Sequence, residues 1–325
     1  MPSSKGSEAD DTADADNFHI VGPKDITAQN ADWSLEEYRR CFAACIAKAT
    51  SVHANERHKE LAPPWWETFD FHLHKEIKGD DGFMFGVIIN DLRNSCHFKL
   101  ACQKITKVVV EATGDDTPVW LVGHSLGASL ALEVGRRMMI DSGYNLPTFL
   151  FNPPQVSMGP VIDLLLQSGK AKDDIWACSF ELKEKLGKTK IIRPHTERMV
   201  KLFEKLLPWE PRIYVHQGDI VCQGFIDYFV QRERLAKRYP LAMMLSYRDM
   251  ISFLIGEDKE QPHLLPSAKL WIVRKRSHSE DPHALKQWWM DNTELGWSNN
   301  HDSDNGKSYT WKSPKLGDAA IFSFA

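Results

Sequence analysis

Several features that would take a protein out of the ordinary globular class are missing from this sequence. No apolar run approaches the ~20 residues that a membrane-spanning helix needs, so we expect no transmembrane segment. The acidic, polar start of the chain is unlike a secretory signal or a transit peptide. The 40 Lys and Arg residues are outnumbered by 44 Asp and Glu residues, and this formal net charge of -4 does not suit nucleic-acid binding. We therefore expect a cytoplasmic protein without a nucleic-acid partner.

Paired cysteines and metal-ligand clusters are also scarce. The six cysteines contain no Cys-x-x-Cys pair, and in a chain without a secretion signal they are expected to be free, buried thiols. His72 and His74 form a His-x-His pair, but no convincing third ligand accompanies it. We interpret that pair as part of an amphipathic segment and predict neither a metal nor another cofactor.

Composition divides the chain into three parts. Residues 1–17 are small and acidic, which predicts a disordered tail because such a segment cannot bury enough apolar surface to offset its ordering entropy. Residues 18–291 carry the patterns of one α/β domain. Within it, the charged section 170–208 is predicted to be helical, either as a cap over a site or as a solvated excursion. Residues 292–325 mix Asn, Asp, Ser and Gly with scattered aromatic residues, which predicts a loosely attached C-terminal tail.

Short apolar runs alternate with amphipathic helical patterns across the domain. A capping box at Ser34–Glu37 predicts the start of the first helix. Strands alternating with helices predict a doubly wound, mostly parallel sheet. The predicted strands are 83–89, 119–122, 147–151, 212–215 and 269–273, and the main predicted helices are 34–50, 95–113, 126–142, 158–168, 235–255 and 282–290.

The strongest functional signal lies in residues 118–132. An apolar run leads into Gly123-His124-Ser125-Leu126-Gly127, and a helical pattern rich in Ala and Leu follows. A strand, a sharp turn with a serine at its apex and then a helix are typical of the nucleophile elbow of α/β-hydrolases. The alternative is an ordinary glycine-flanked serine at a helix start. Because the strand and the helix cross closely beside a strained serine, side chains at Gly123 and Gly127 are both expected to collide.

A serine becomes a nucleophile when a base takes its proton and a third group orients that base. In this fold the acid follows the serine along the chain, on a loop after a strand. Asp219 meets this requirement, because it lies just beyond the predicted strand 212–215 on a turn that contains Gly218. The alternative role for Asp219 is that of an Asx-turn residue.

The base must follow the acid in this chain order. His283 is the favoured candidate because it opens a segment one loop after the last predicted strand, with His278 in the same loop as its rival. His263 precedes that strand and is interpreted as structural. His124, beside the serine, faces the wrong way for a base and is expected to pack beneath the elbow.

Five separated blocks between residues 18 and 291 stand out: Leu61-Ala-Pro-Pro-Trp-Trp-Glu67, Gly123-His-Ser-Leu-Gly127, Phe149-Leu-Phe-Asn-Pro-Pro154, His263-Leu-Leu-Pro-Ser-Ala268 and Gln287-Trp-Trp289. Together they resemble a plant group of class 3 lipase-like α/β-hydrolases, often labelled GDSL esterase/lipase although its members carry a Gly-His-Ser-Leu-Gly elbow. The resemblance implies triacylglycerol lipase or carboxylesterase chemistry on a lipophilic ester without a metal. It also implies that Ser125 is the nucleophile, Asp219 the acid and His283 the base.

One element that the resemblance implies is absent. It would be a strand ending in Arg-Gly-Thr, between the predicted strand 83–89 and the helix that starts near Ser95, and it would supply part of the oxyanion hole. No Arg-Gly-Thr occurs in the chain, so the fold is expected to lack this strand. The backbone N–H of Leu126 remains as one oxyanion donor, and loss of the other typically costs ~10²–10³ in rate. Two hypotheses follow: a serine ester hydrolase, or a catalytically weak or inactive hydrolase scaffold that binds a ligand or a protein partner.

Overall fold

The computed structural model describes residues 30–54, 103–107, 109–110, 119–155, 169–256, 265–273, 281–290, 292, 295 and 306–310. The predictions for the acidic tail, strand 83–89, helix 158–168 and the histidines at 72, 74, 263 and 278 lie outside these residues. In the described part of the chain, no helix is long and apolar enough to span a bilayer. The same residues contain no group of three His, Cys, Asp or Glu that could hold a metal ion.

Five strands form one sheet in chain order, and the first four run parallel. They confirm the four strands predicted from residue 119 onward, with boundaries that differ by one or two residues. This is the predicted α/β class, a mostly parallel sheet consistent with an α/β-hydrolase fold. The strands are β1 Leu121–His124, β2 Thr148–Phe151, β3 Arg212–His216, β4 Ser267–Val273 and, antiparallel to β4, β5 Gly306–Thr310.

Six α-helices and two short 3₁₀ segments are described around this sheet, and residues 103–107 and 109–110 are also helical. The predicted helix 235–255 is interrupted beside Pro240, which lacks a backbone donor. The predicted helix 282–290 is instead the 3₁₀ segment Leu285–Trp289. The other elements are α1 Glu36–Ala54, α2 Leu126–Ser142, α3 Gly169–Gly187, α4 Arg193–Leu206, α5 Gln223–Leu235, the 3₁₀ segment Ala242–Met244 and α6 Tyr247–Leu254.

The core lies in two layers, one on each face of the sheet. Successive residues of a strand point to opposite faces. Leu150 packs with buried side chains of α2, α4 and α5, whereas its neighbours Phe149 and Phe151 pack with α1 and the segment Leu285–Trp289. Because β2 is covered on both faces, all four of its residues are buried. Helical elements therefore cover both faces, as a doubly wound sheet requires.

Glu36 fixes α1 to the sheet. Its carboxylate accepts hydrogen bonds from the Tyr214 hydroxyl (2.6 Å) and from Arg212 Nε (2.9 Å). Burial opposes ionisation of Glu36, but Arg212 and the hydrogen bonds hold its pKa below the ordinary value. The capping box predicted at Ser34 is not formed, since α1 begins at Glu36 and the Ser34 hydroxyl donates to Asp32 Oδ1 (2.6 Å).

The described cysteines are free thiols. Cys41, Cys45 and Cys222 are buried, as predicted. Cys178 differs, because it lies on an exposed part of α3. Burial raises the pKa of the Cys45 and Cys222 thiols well above the ordinary value, so both stay protonated and behave as small apolar side chains.

The predicted helical section 170–208 contains α3 and α4. Residues of α4 share an apolar cluster with the segment between α5 and α6, in which Phe203 packs with Met244 and Leu245. No hydrogen bond, ion pair or ring contact among the described residues joins this section to Ser125, Asp219 or His283. Its role as a cap stays a prediction.

Residues 306–310 differ from the loosely attached tail predicted for 292–325. They form β5, which pairs with β4 from Ser267–Thr310 to Trp271–Gly306. The ring of Tyr309 lies 4.6 Å from that of Phe229, measured between centroids. Among the described strands, β5 is the outermost at this side of the sheet. Such a strand needs few apolar residues, so its polar sequence Gly-Lys-Ser-Tyr-Thr resembles that of a loop.

Candidate active site

Ser125 occupies the sharp turn between β1 and α2. Its backbone has φ 51° and ψ −122°, a region that residues other than glycine rarely adopt. The turn is held from both sides, because the Ser125 N–H donates to Phe151 O (2.9 Å) and its carbonyl accepts from Ala128 N (3.0 Å). The surrounding structure thus holds the serine, which is half-buried, in a strained conformation at the strand end.

The two glycines that flank the turn differ in the space available for a side chain. A Cβ atom at Gly123 would lie 2.3 Å from the carbonyl oxygen of Gly127 and 2.6 Å from the nitrogen of Ala128, far inside contact distance. A Cβ atom at Gly127 would meet no described atom within 4 Å, and this residue is exposed. The predicted collision is therefore confirmed for Gly123, whereas no described residue would cause one at Gly127.

This difference predicts opposite results for two alanine substitutions. Gly123→Ala would force β1 and α2 apart, so we expect a loss of about 3 kcal/mol in the free energy of unfolding. Gly127→Ala, which places alanine in the first turn of α2, is expected to leave stability unchanged or raise it by up to about 1 kcal/mol. Urea unfolding of both variants measures the difference. Equal destabilisation would contradict the close crossing at Gly123.

Asp219 lies in the turn after β3, and its side chain is buried. One carboxylate oxygen, Oδ1, accepts from the backbone N–H of Val221 (2.9 Å), which is the predicted Asx turn. The other, Oδ2, accepts from His283 Nδ1 (2.6 Å) and from Asn152 Nδ2 (2.6 Å). The two interpretations of Asp219 are thus compatible, because the turn presents the carboxylate to the histidine.

The pKa shifts of this pair follow from these contacts. Burial alone would raise the pKa of Asp219, but hydrogen bonds from His283, Asn152 and Val221 lower it to about 2. The pKa of His283 is raised above 6.5, chiefly by its hydrogen bond to Asp219, while burial acts in the opposite direction. Asp219 is therefore ionised near neutral pH, and Nδ1 of His283 carries the shared proton, since a carboxylate can only accept.

Backbone carbonyls on and beside His283 accept side-chain hydrogen bonds. Gln287 Nε2 donates to Pro282 O (2.8 Å) and to Ala284 O (3.1 Å). His124 Nε2 donates to the carbonyl of His283 itself (2.8 Å). These bonds fix the backbone that carries the imidazole, directly before the 3₁₀ segment Leu285–Trp289.

The sequence predicts that His124 packs beneath the elbow, but its ring lies beside His283. The ring centroids are 4.9 Å apart, at an angle of 48°. Burial lowers the pKa of His124 to about 4, so its ring is neutral at physiological pH. A neutral His124 can hold the His283 backbone without adding a positive charge that would oppose protonation of His283.

The three predicted triad residues each follow a parallel strand, at the same edge of the sheet. Ser125 follows β1, Asp219 follows β3, and His283 follows β4. The contact of His124 brings His283 to the residue next to Ser125. Within the described residues, the Asp219–His283 bond is formed and no hydrogen bond joins the Ser125 hydroxyl to His283. Such bonds are often loose before substrate binds.

Leu126 supplies the N–H that begins α2. The first N–H groups of a helix have no partner inside it, and no side chain caps this terminus. The helix dipole adds a partial positive charge at the same point. Residues 55–102, where the Arg-Gly-Thr element would lie, are outside the described chain.

Two contributors to the site, Asn152 and Gln287, were not predicted. Each lies in a block quoted for the family resemblance, yet neither was assigned a role. Asn152 has a usable signal, because it directly follows the buried β2 at the edge that carries Ser125 and Asp219. Gln287 has none, since its bonds depend on the 3₁₀ geometry.

The chain is similar to a curated protein of Arabidopsis thaliana named GDSL esterase/lipase. The two are 26% identical, over 87% of this chain and 97% of the relative. The aligned span of 357 positions exceeds the 325 residues of this chain, so the relative contains residues without a counterpart here. No family model and no solved structure matches the chain. The likeness supports the esterase/lipase resemblance but does not extend to the class 3 lipase subtype.

Proposed function

We propose that this protein is a serine ester hydrolase that cleaves a lipophilic carboxylic ester with Ser125, Asp219 and His283. The observation that carries the proposal is the 2.6 Å hydrogen bond between the buried Asp219 and the half-buried His283, together with a serine held at φ 51° between a strand and a helix. The esterase/lipase name of the Arabidopsis thaliana relative supports the reaction class independently.

In the acylation step, Ser125 Oγ attacks the ester carbonyl carbon while Nε2 of His283 accepts the hydroxyl proton. Asp219 stays ionised and holds Nδ1–H, which stabilises the imidazolium that forms. The negative charge on the carbonyl oxygen falls near the N–H of Leu126 and the start of α2. The bond to the alcohol oxygen then breaks, and His283 returns the proton to the leaving alcohol.

In the deacylation step, water takes the place of the alcohol. His283 removes a proton from that water, which attacks the acyl carbon bound to Ser125 Oγ. The acyl–serine bond breaks, the serine recovers its proton from His283, and the carboxylic acid leaves. No metal enters either step, because the residues proposed here supply the base, the nucleophile and one oxyanion donor.

A lipophilic substrate is supported by the surface beside the acid. Ile220 directly follows Asp219 in the chain, and its apolar side chain is 76% exposed. Such a side chain can contact an acyl or alcohol group near the reacting carbonyl. The length of that group is best found with a panel of p-nitrophenyl esters of increasing acyl length.

Labelling by a fluorophosphonate probe tests the proposal directly. The probe reacts with serines that are activated by a neighbouring base. We expect a single adduct at Ser125 in the folded protein, located by peptide mass spectrometry, and none in heat-denatured protein. A folded sample that neither labels at Ser125 nor hydrolyses short p-nitrophenyl esters would overturn the enzyme proposal.

The second candidate function is a non-catalytic hydrolase scaffold that binds a lipid-like ligand or a protein partner. The absence of Arg-Gly-Thr favours it, because the oxyanion would then have the N–H of Leu126 but lack the second donor. This hypothesis expects saturable binding of a fluorescent fatty acyl ester that survives unhydrolysed. The enzyme hypothesis expects the same compound to be cleaved.

A further inference from the structure

We propose that Asn152 is a positioning residue that holds the Asp219–His283 pair in its reactive arrangement. This inference rests on the proposed function, since it assigns Asn152 to the same reaction. Asn152 directly follows β2, is fully buried and has φ 46°, a left-handed conformation that asparagine tolerates better than most residues. Its backbone N–H donates to Tyr214 O (2.8 Å), which ties the residue to β3.

The amide of Asn152 joins the acid to the segment that carries the base. Its Nδ2 has two hydrogens and two acceptors, Asp219 Oδ2 at 2.6 Å and Pro282 O at 3.1 Å. The first acceptor is the same carboxylate oxygen that binds His283 Nδ1. The second belongs to the residue directly before His283. One side chain is therefore hydrogen-bonded both to the acid and to the segment that carries the base, in addition to the direct bond between Asp219 and His283.

Trp288 fixes the orientation of that amide. Its indole N–H, which can only donate, lies 2.7 Å from Asn152 Oδ1. The oxygen of the amide must therefore face Trp288, and the NH₂ group must face Asp219. Trp288 is itself fully buried, and its ring packs on Phe151 and Tyr214. The donors run in one direction, from Trp288 to Asn152 to Asp219.

Among the described residues, removal of the amide would leave Asp219 Oδ2 with His283 as its donor and Pro282 O with Gln287 as its donor. A misplacement of about 1 Å in a catalytic group can cost about 10²-fold in rate. Because Asn152 is buried behind the pair, substrate binding should change little. We therefore expect kcat to fall about 10–100-fold in Asn152→Gly, with KM changed by less than about three-fold.

Two substitutions separate the amide from the backbone. Asn152→Gly removes the side chain and accepts φ 46° without strain, whereas Asn152→Ala removes it and adds strain. If the fall in kcat arises from loss of the amide, it should be equal in both variants. The matched control is Asn145→Gly, at the other end of β2, where Nδ2 also donates to a proline carbonyl, that of Pro208 (2.8 Å). Asn145→Gly is expected to keep the kcat of the native protein.

A measurement without turnover distinguishes this inference from the proposed function. In a Ser125→Ala background, NMR titration of the His283 ring reports its pKa whether or not the protein hydrolyses esters. A positioning role predicts that Asn152→Gly lowers this pKa toward 6.5, because the hydrogen bond to Asp219 loosens. An unchanged or higher pKa, with kcat within about two-fold of the native value, overturns the inference and leaves the hydrolase proposal intact.

Trp288→Phe provides an alternative test of the inference if the Asn152 variants do not fold. Phenylalanine keeps an aromatic ring in the core but removes the N–H that orients the amide. We expect kcat and the His283 pKa to fall in this variant too, each by less than in Asn152→Gly. Native near-UV circular dichroism with unchanged kcat and unchanged His283 titration would count against the relay from Trp288 to Asp219.

Discussion

Replacing Ser125 with alanine is expected to lower kcat for ester hydrolysis by about 10⁴–10⁶-fold. The substitution removes the atom that attacks the carbonyl, while the Asp219–His283 pair and the N–H of Leu126 stay in place. Any residual rate would come from binding and from the oxyanion donor alone. The fold should persist, because alanine adopts φ 51° about as well as serine does and the backbone bonds of the turn do not involve the hydroxyl. Initial rates with p-nitrophenyl esters measure the effect.

Ser129→Ala is the matched control for that experiment. Ser129 lies one turn along α2, and its contact with the elbow is a backbone bond, from its N–H to Ser125 O (3.2 Å), which alanine preserves. We expect kcat within about two-fold of the native protein and full fluorophosphonate labelling. If Ser125→Ala kept more than about a tenth of the native rate, another group would have to be the nucleophile.

The sequence predicts those strands and helices whose local residue pattern agrees with their burial in the fold. β2 was identified because burial on both faces makes it a continuous apolar run, and α2 because it follows a strand and a glycine-containing turn. β5 was missed because an edge strand can be polar. The apolar pattern of Leu285–Trp289 predicts a helix, whereas in the fold the carbonyls of Trp288 and Trp289 accept hydrogen bonds from Arg40 and Cys41 of α1.

The same distinction holds in the candidate site. Asp219 and His283 were predicted because chain order and strand ends restrict the choice, and the structure brings them within 2.6 Å of each other. Asn152 and His124 were not assigned to the His283 segment, since their bonds join residues 130 and 159 positions apart. Contacts of this kind depend on strand order and on side-chain direction, which no local pattern specifies.

Replacing Asp219 with asparagine is expected to lower kcat by about 10³–10⁴-fold. The amide of the variant residue can present N–H to His283, which favours the tautomer with its proton on Nε2. That tautomer cannot accept the proton of Ser125. The change also removes the negative charge that stabilises the imidazolium during acylation. Fluorophosphonate labelling of Ser125 should slow in parallel, because it requires the same base.

The pH profile separates this electrostatic role from simple loss of structure. Catalysis requires neutral His283, and its pKa is raised above 6.5 chiefly by the bond to Asp219. Native kcat/KM should therefore fall as the pH drops through a midpoint above 6.5. In Asp219→Asn the largest cause of that shift is lost, so the midpoint moves to lower pH while the plateau is greatly reduced. The control is Asp173→Asn. Asp173 is an exposed residue of α3 that pairs with Arg234 of α5, and the pH profile of this variant should match the native one.

A native profile with its acid midpoint below 6.5 would contradict the pairing of His283 with Asp219 in solution. An Asp219→Asn variant that loses rate but keeps the native midpoint would place the titrating base elsewhere. His278, in the same loop, would then be the first residue to substitute. The midpoint is thus the stronger test of the base assignment, because a destabilised variant can lose rate, whereas a shift toward 6.5 requires that the hydrogen bond between His283 and Asp219 is weakened or lost.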